Sequence, residues 1–368
     1  MRILILNWRD IKNPSGGGAE ILTHEIAKRW AASGHEVIHF SAMFRGARSK
    51  ETIDGVHFIR KGSWWNVYFF AFIYYVFYLR NSTDVIIDEV HGLPFFSSLY
   101  APKKTIALVC EIANKLFFTM FPYPIAILGR GLEKVYLILY KHVPAMVISP
   151  STYNDLIVEG HDKNISILPM GLSIPENIKI ASKEKIPTIV YLGRLNKQKG
   201  ILDAVETFAL IKKNIPDCQF WVIGSGEENF VLEVKKKIAE YALENTVKFF
   251  GFVSQKEKYA LLSKAHILMV PSQQEGWGLI VHEAGIIGTP TVAYNVLGLR
   301  DTIENNKSGI LVNPNPQDLA KNVIVLIKDK EKYNKMKKEA MQLAGKYTWE
   351  NTAKVAWKFI ERTKYKNK

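Results

Sequence analysis

Short apolar runs of strand length alternate with longer segments of helical period from one end of the 368-residue chain to the other, and the rhythm occurs twice. Apolar runs are what strands buried on both faces look like, and a helix-length crossover is what parallel neighbours require. The pattern therefore predicts parallel α/β layers. In the first half it predicts strands at Ile3–Leu6, Glu36–Phe40, Gly55–Ile59, Val85–Ile87, Thr105–Val109, Met146–Ser149 and Ser166–Leu168. Helical stretches fall at Ala19–Ser33, Trp64–Leu79, Ile125–Lys141 and Thr152–Glu159. Between Gly171 and Pro187 the pattern lapses into Pro, Ser, Lys and Asn, and a fresh strand begins at Thr188. The second half predicts strands at Thr188–Leu192, Gln219–Ile223, Val247–Phe250, Ile267–Val270, Thr291–Ala293 and Ile310–Val312. A single core stops growing near ~250–300 residues, so two domains are expected, 1–180 and 181–345. A last helix, within 346–368, follows a finished domain and is expected to pack back on the first.

At 48% hydrophobic and 23% charged, the chain can bury a sizeable core and is neither disordered nor an integral membrane bundle. Its net charge of +14 suits nucleic acid, an anionic membrane surface or phosphorylated ligands. The excess is four in residues 1–180 and ten beyond, which points first to a phosphorylated ligand of the second domain. Basic residues are scattered rather than striped and no nucleic-acid module is visible, so nucleic acid is not an expected partner. Cys110 and Cys218 stand far apart without metal-ligand spacing, and no disulfide framework or zinc site is predicted. The expected location is the cytoplasm, with peripheral contact at the cytoplasmic face of the membrane as a further candidate. That candidate comes from Trp64–Leu79, sixteen residues of which ten are aromatic and only Asn66 is strongly polar. The run is shorter than the ~20 residues of a membrane span. It reads either as a core helix or as a surface helix dipping its rings into an interface.

The most informative window runs from Pro271 to Pro290, after the strand Ile267–Val270. Gly276 and Gly278 let backbone approach a ligand closely, and a helix opening near Gly278 offers free N–H groups and a positive dipole end to phosphate. Glu275 precedes that helix and Glu283 lies inside it, so the two carboxylates can address different parts of one extended ligand. Arg194 and Lys199 lie on the glycine-flanked loop after Thr188–Leu192, where two cations can meet a diphosphate. Gly16, Gly17 and Gly18 lie between the first strand and first helix, and their backbone can turn N–H groups toward phosphate.

These motifs carry a resemblance. Glu275-Gly-Trp-Gly with Glu283-Ala, then Gly288-Thr-Pro, Gly298-Leu-Arg-Asp301 and Ser308-Gly-Ile-Leu-Val312, is similar to the donor-site region of family 4 of the retaining glycosyltransferases. Tyr191-Leu-Gly193-Arg194 through Lys199-Gly200 resembles a second element of that family. The resemblance implies the α/β GT-B architecture, two Rossmann-like doubly wound domains facing a cleft, with 1–180 on the acceptor side and 181–345 binding a nucleotide-sugar donor. It implies retaining transfer of a sugar to an acceptor hydroxyl on a glycan or lipid-linked saccharide. In that family Arg194 and Lys199 would meet the leaving diphosphate, and Glu275 would stand near the donor sugar. Glu283 would hold the ribose hydroxyls, Gly224 and the loop of Gly251 and Phe252 would line the base, and backbone from Gly276, Trp277, Gly278 and Leu279 would contact sugar and phosphate. No cofactor and no metal is expected. Many members carry a histidine where this chain reads Val109-Cys110-Glu111, and Cys110 cannot supply the same donor or acceptor. Glu111 and His91 are therefore the remaining acceptor-side candidates beside Cys110. A sugar-nucleotide epimerase, a phosphorylase of the same architecture, and a non-catalytic glycan-assembly subunit are the competing readings.

Overall fold

A computed structural model describes residues 1–114, 116–162, 164–175, 178 and 180–366. Part of the expected linker and the last residues of the lysine-rich tail therefore lie outside the described residues. The chain divides into two units, Met1–Gly171 with Thr348–Lys368, and Leu172–Tyr347; the sequence reading places its boundaries at 180/181 and 345/346.

The first unit holds an eight-stranded sheet of β1 (Arg2–Leu6), β2 (Glu36–Ser41), β3 (Lys50–Ile53), β4 (Val56–Arg60), β5 (Val85–Val90), β6 (Thr105–Val109), β7 (Ala145–Val147) and β8 (Ile165–Ile167). Its order is β3-β4-β2-β1-β5-β6-β7-β8, parallel except for the β3–β4 hairpin. The second unit holds a six-stranded sheet of β9 (Thr188–Leu192), β10 (Gln219–Ile223), β11 (Val247–Gly251), β12 (Ile267–Val270), β13 (Thr291–Tyr294) and β14 (Gly309–Val312), in the order β11-β10-β9-β12-β13-β14. All its pairings are parallel. Each sheet reverses direction beside its first strand, between β1 and β5 and between β9 and β12. Loops leaving strands on the two sides of such a point diverge and open a crevice at the carboxyl ends, where ligands of this fold class bind.

Burial explains the strands. β9, β10 and β12 are apolar runs covered on both faces, one by a cluster around Tyr191, Phe208 and Phe220, the other by a cluster around Trp221, Tyr259 and Val270. β3 breaks the predicted pattern. Its Lys-Glu-Thr-Ile sequence forms an edge strand with no fully buried residue, so no apolar run announces it.

The aromatic segment forms the helix Val67–Tyr74 and continues as a π-helical turn over Tyr75–Leu79. Val67, Ala71, Tyr75 and Leu79, at four-residue spacing, are buried against Leu4, Leu6, Phe40 and Ile86. Trp64, Trp65, Phe69, Phe77 and Tyr78 are exposed. One face of the segment is therefore core, as the first reading expects, and the other is exposed. Among the described residues no helix is long and apolar enough to cross a membrane.

The final helix, Trp349–Lys366, lies against the first helix, Gly18–Ala32. Trp30 donates its indole N–H to the Ala353 carbonyl at 3.3 Å, Trp357 stacks on His35 at 4.1 Å, and the Thr352 hydroxyl bonds the Pro169 carbonyl.

Candidate functional site

The loops at the carboxyl edge of the second sheet are stitched together by backbone. Gly193 N–H donates to Ile223 O at 3.0 Å, Leu195 N–H to Ser225 O at 2.8 Å and Gly224 N–H to Gly251 O at 2.8 Å, which joins the loops after β9, β10 and β11. Across the reversal point, Gln273 N–H donates to Gln198 O at 2.9 Å, and on the far side Glu275 N–H donates to Leu297 O at 3.2 Å, joining the loops after β12 and β13. This close approach is why Gly224 is glycine. Its φ is +136°, and a Cβ there would stand 1.9 Å from the Gly193 carbonyl oxygen.

Onto this rim project two carboxylates, each with a lysine. Lys199 Nζ lies 2.7 Å from both oxygens of Glu275, and the Ser272 hydroxyl donates to Glu275 Oε1 at 2.8 Å. Glu283 Oε1 lies 2.6 Å from Lys258 Nζ on the helix Gln255–Lys264. All four charged side chains are largely buried. The Arg194 side chain is exposed, and its carbonyl accepts from the Tyr191 hydroxyl at 2.9 Å. The helix Leu279–Ile286 opens at Gly278, whose φ of +87° makes the turn from strand to helix. Its first-turn N–H groups therefore face the same edge as Lys199 and Glu275. An anion meets a helix N-terminus and a lysine here, while a hydroxylated group meets two carboxylates.

Other predicted residues are placed differently in detail. Trp277 buries its indole, which packs edge-on against Tyr347 at 5.6 Å beside His282, so only its backbone is free to meet a ligand. That backbone is itself held, because the Thr302 hydroxyl donates to the Trp277 carbonyl. His282 stacks on Tyr347 at 4.3 Å, and burial brings its pKa down to about 4. The Phe252 ring is 88% exposed next to Gly251. Lys258 was missed by sequence reasoning. It belongs to no motif, and only the packing of one helix beside another brings it to Glu283.

In the first unit, the glycine loop turns one donor inward. Gly17 N–H donates to Glu20 Oε2 at 2.5 Å, Arg9 Nε meets Glu20 Oε1 at 2.8 Å, and Arg9 also donates to the Ser15 carbonyl. At this sheet's reversal point Glu89 is fully buried. Its Oε2 accepts from Asn7 Nδ2 at 2.8 Å and from the Thr23 hydroxyl at 2.5 Å, and Cys110 Sγ lies 3.9 Å from Oε1. Burial pushes the Glu89 carboxyl up to about 8, reinforced by the nearby Glu20 charge. Cys110 is buried and its thiol is pushed well above its ordinary value, by burial first and then by Glu89 and Glu20. His91 is half-buried, and its carbonyl accepts from the Trp8 indole at 3.3 Å; Glu111, also half-buried, directly follows Cys110. The Arg9–Glu20–Glu89 group escaped the sequence reading because Glu89 sits inside the apolar run of β5 and only the fold brings it near Glu20, just after the glycine loop.

Two units with Rossmann-like sheets, each with its crevice at a strand reversal, define the GT-B fold class. Residues 174–343 match the family described as Glycosyl transferases group 1. D-inositol 3-phosphate glycosyltransferase of Corynebacterium urealyticum is 30% identical over 214 residues, covering 56% of this chain and 49% of that one. The chain thus spans about half the length of this curated relative. Sucrose-phosphate synthase of Thermosynechococcus elongatus superposes with a TM-score of 0.81 at 19% identity, over 98% of both chains. Anabaena HepE, solved with UDP and glucose, superposes with a TM-score of 0.74 at 18% identity, over 98% of this chain and 100% of that one.

Proposed function

We propose that this protein is a glycosyltransferase that moves a sugar from a nucleotide-diphosphate donor to a hydroxyl of a glycan or lipid-linked saccharide, with retention at the anomeric carbon. The observation that carries the reading is the Lys199–Glu275 pair at the β9/β12 reversal, on the same rim as the opening of a helix whose interior presents Glu283. Departure of the nucleotide leaves a diphosphate with growing negative charge. Lys199, Arg194 and the N–H groups opening Leu279–Ile286 supply fixed positive charge where it grows, which lowers the barrier without reorganisation. Glu275 accepts from donor-sugar hydroxyls and Glu283 from the ribose. Gly224, Gly251 and Phe252 line the base. The solved HepE complex with UDP and glucose supports a donor of this kind. Retention is what the resemblance of the donor-site motifs implies; with both its oxygens engaged by Lys199, Glu275 suits orienting and charge balance better than nucleophilic attack. The cations carry the charge-neutralising role, so transfer proceeds in a chelator, and the reaction runs in the cytoplasm where nucleotide sugars are available.

Titration calorimetry against UDP-, GDP- and ADP-sugars, followed by anomeric analysis of the product by NMR, tests the reading. Binding of one donor and a product of unchanged anomeric configuration are expected. No binding across the panel, or release of free or epimerised sugar independent of acceptor, overturns it.

A further inference from the structure

The connections that run from β4 to β5, β5 to β6 and β6 to β7 all advance in one direction along the first sheet. Right-handed crossovers place such connections on one face, so Val67–Leu79, the short helix Ser97–Tyr100 and the helix Tyr123–Tyr140 lie side by side in one layer. Contacts agree. The Tyr100 ring meets Phe72 at 5.2 Å and Tyr75 at 5.4 Å, while the Tyr140 hydroxyl and Ser97 share Asp88. The inner side of this layer is core. Its outer side is apolar as well: along Tyr123–Tyr140 the exposed residues include Ile125, Leu128, Leu132, Val135 and Ile138, with Leu128 at 75% and Ile138 at 68% exposure. Leu99 on Ser97–Tyr100 is 63% exposed, and the rings of Trp64, Trp65, Phe69 and Phe77 are exposed as well. An outward face this apolar exceeds what a surface left in water presents.

The charge carried by its own segments is mainly positive, although Glu159 pairs with Arg130 and Asp162 lies beside Lys141. No Asp or Glu occurs from Gly55 to Thr83 or from Ile112 to Leu132. The one acid of the long helix, Glu133, is buried, accepting from Ala113 N–H at 2.8 Å, Asn114 N–H at 2.9 Å and Arg130 at 2.7 Å. Lys61, Arg80, Lys103, Lys134 and Lys141 are exposed. A second copy docked on this face about a two-fold axis would bring those cations together. Aromatic and aliphatic side chains ringed by lysine and arginine match a bilayer surface with anionic headgroups.

We infer that the outer face of Val67–Leu79, Ser97–Tyr100 and Tyr123–Tyr140 is a docking surface for an anionic lipid bilayer, with Trp64 and Trp65 at its interfacial edge and Leu128, Leu132 and Ile138 immersed. The docking is independent of the transfer reaction. Flotation of the full chain with phosphatidylglycerol–phosphatidylcholine vesicles, compared with pure phosphatidylcholine, tests it. Wild type is expected to float with the anionic vesicles and to be released by salt. A variant carrying Leu128→Gln and Ile138→Gln should lose about tenfold or more of the bound fraction, since two immersed side chains are replaced. Both positions are solvent-exposed, so melting and nucleotide titration should match wild type, which separates this result from any failure of the transferase reading. Tryptophan emission of wild type should be quenched by brominated phosphatidylglycerol, and less so in a W64F/W65F variant. Absence of flotation, flotation untouched by the glutamines, equal binding to both lipids, quenching that survives W64F/W65F, or a dimer abolished by the glutamines in lipid-free sedimentation would each overturn it.

Discussion

Lys199 Nζ stands 2.7 Å from both carboxylate oxygens of Glu275, tying the loop after β9 to the loop after β12 at the point where the second sheet reverses. Seventy-six residues separate the two. Under the proposed function, the carboxylate holds the lysine ready for the diphosphate, and is released toward hydroxyl groups when the diphosphate draws the lysine away.

If that pair is the site of charge development, Lys199→Ala lowers kcat by about a hundredfold to a thousandfold, the usual effect of losing a preorganised donor to a developing anion. KM for the donor changes far less, and Lys199→Arg restores part of the rate. Steady-state kinetics with the donor identified by calorimetry checks this. Unaltered kcat in Lys199→Ala, with only melting affected, would mark the pair as a structural ion pair.

Glu283 offers a test of nucleotide binding apart from chemistry. Its carboxylate is held by Lys258 at 2.6 Å, and a ribose must compete with that lysine. Glu283→Ala should weaken nucleotide binding about ten- to a hundredfold, the worth of charged hydrogen bonds, while kcat at saturation holds. Lys258→Met removes the competitor and should bind nucleotide at least as tightly as wild type. Calorimetry with the free nucleotide reads both.

Gly224→Ala probes the stitching of the rim. A Cβ 1.9 Å from the Gly193 carbonyl oxygen, at a φ that L-residues avoid, forces the β9 and β10 loops apart. A loss of about 1–3 kcal/mol in the urea unfolding of the second unit is expected, with weaker nucleotide binding. An unchanged urea midpoint would show that the loops yield without cost.

Much of this was legible in the sequence because it is local. Thr188–Leu192, Gln219–Ile223 and Ile267–Val270 are apolar runs with a turn at each end, and the strands occupy those residues. Glu275, Gly278 and Lys199 announce themselves through spacing around strand-to-helix turns. Relations between elements were not legible. Lys258 reaches Glu283 from a neighbouring helix, and Lys50–Ile53 pairs as an edge with no fully buried residue. The helical period of Ile125–Lys141 was plain, but which of its apolar residues face the core depends on how many helices share the layer, and periodicity does not carry that number.

Glu89 gives the first unit a pH dependence that can be worked through. The carboxyl is fully buried and its pKa rises from 4.5 to about 8, chiefly through burial and then through Glu20. Between those values the folded chain holds a proton that the unfolded chain has released, so stability falls as pH rises across the window and levels off above it. Two histidines work the other way lower down. His39 and His282, buried with pKa values of about 4 against 6.5, make stability rise with pH up to roughly 6.5. Lys183, lowered by burial to about 7, makes it rise again above that value. The Glu89 contribution is therefore read as a difference between wild type and Glu89→Gln, whose amide stays neutral and can still accept from Asn7 and Thr23. The variant should gain melting temperature relative to wild type as pH increases from 6.5 to about 8, with the gain levelling above. Differential scanning calorimetry across that range measures it, and a pH-independent difference would mean that Glu89 is ionised in the folded protein, with the Arg9 charge outweighing burial and Glu20.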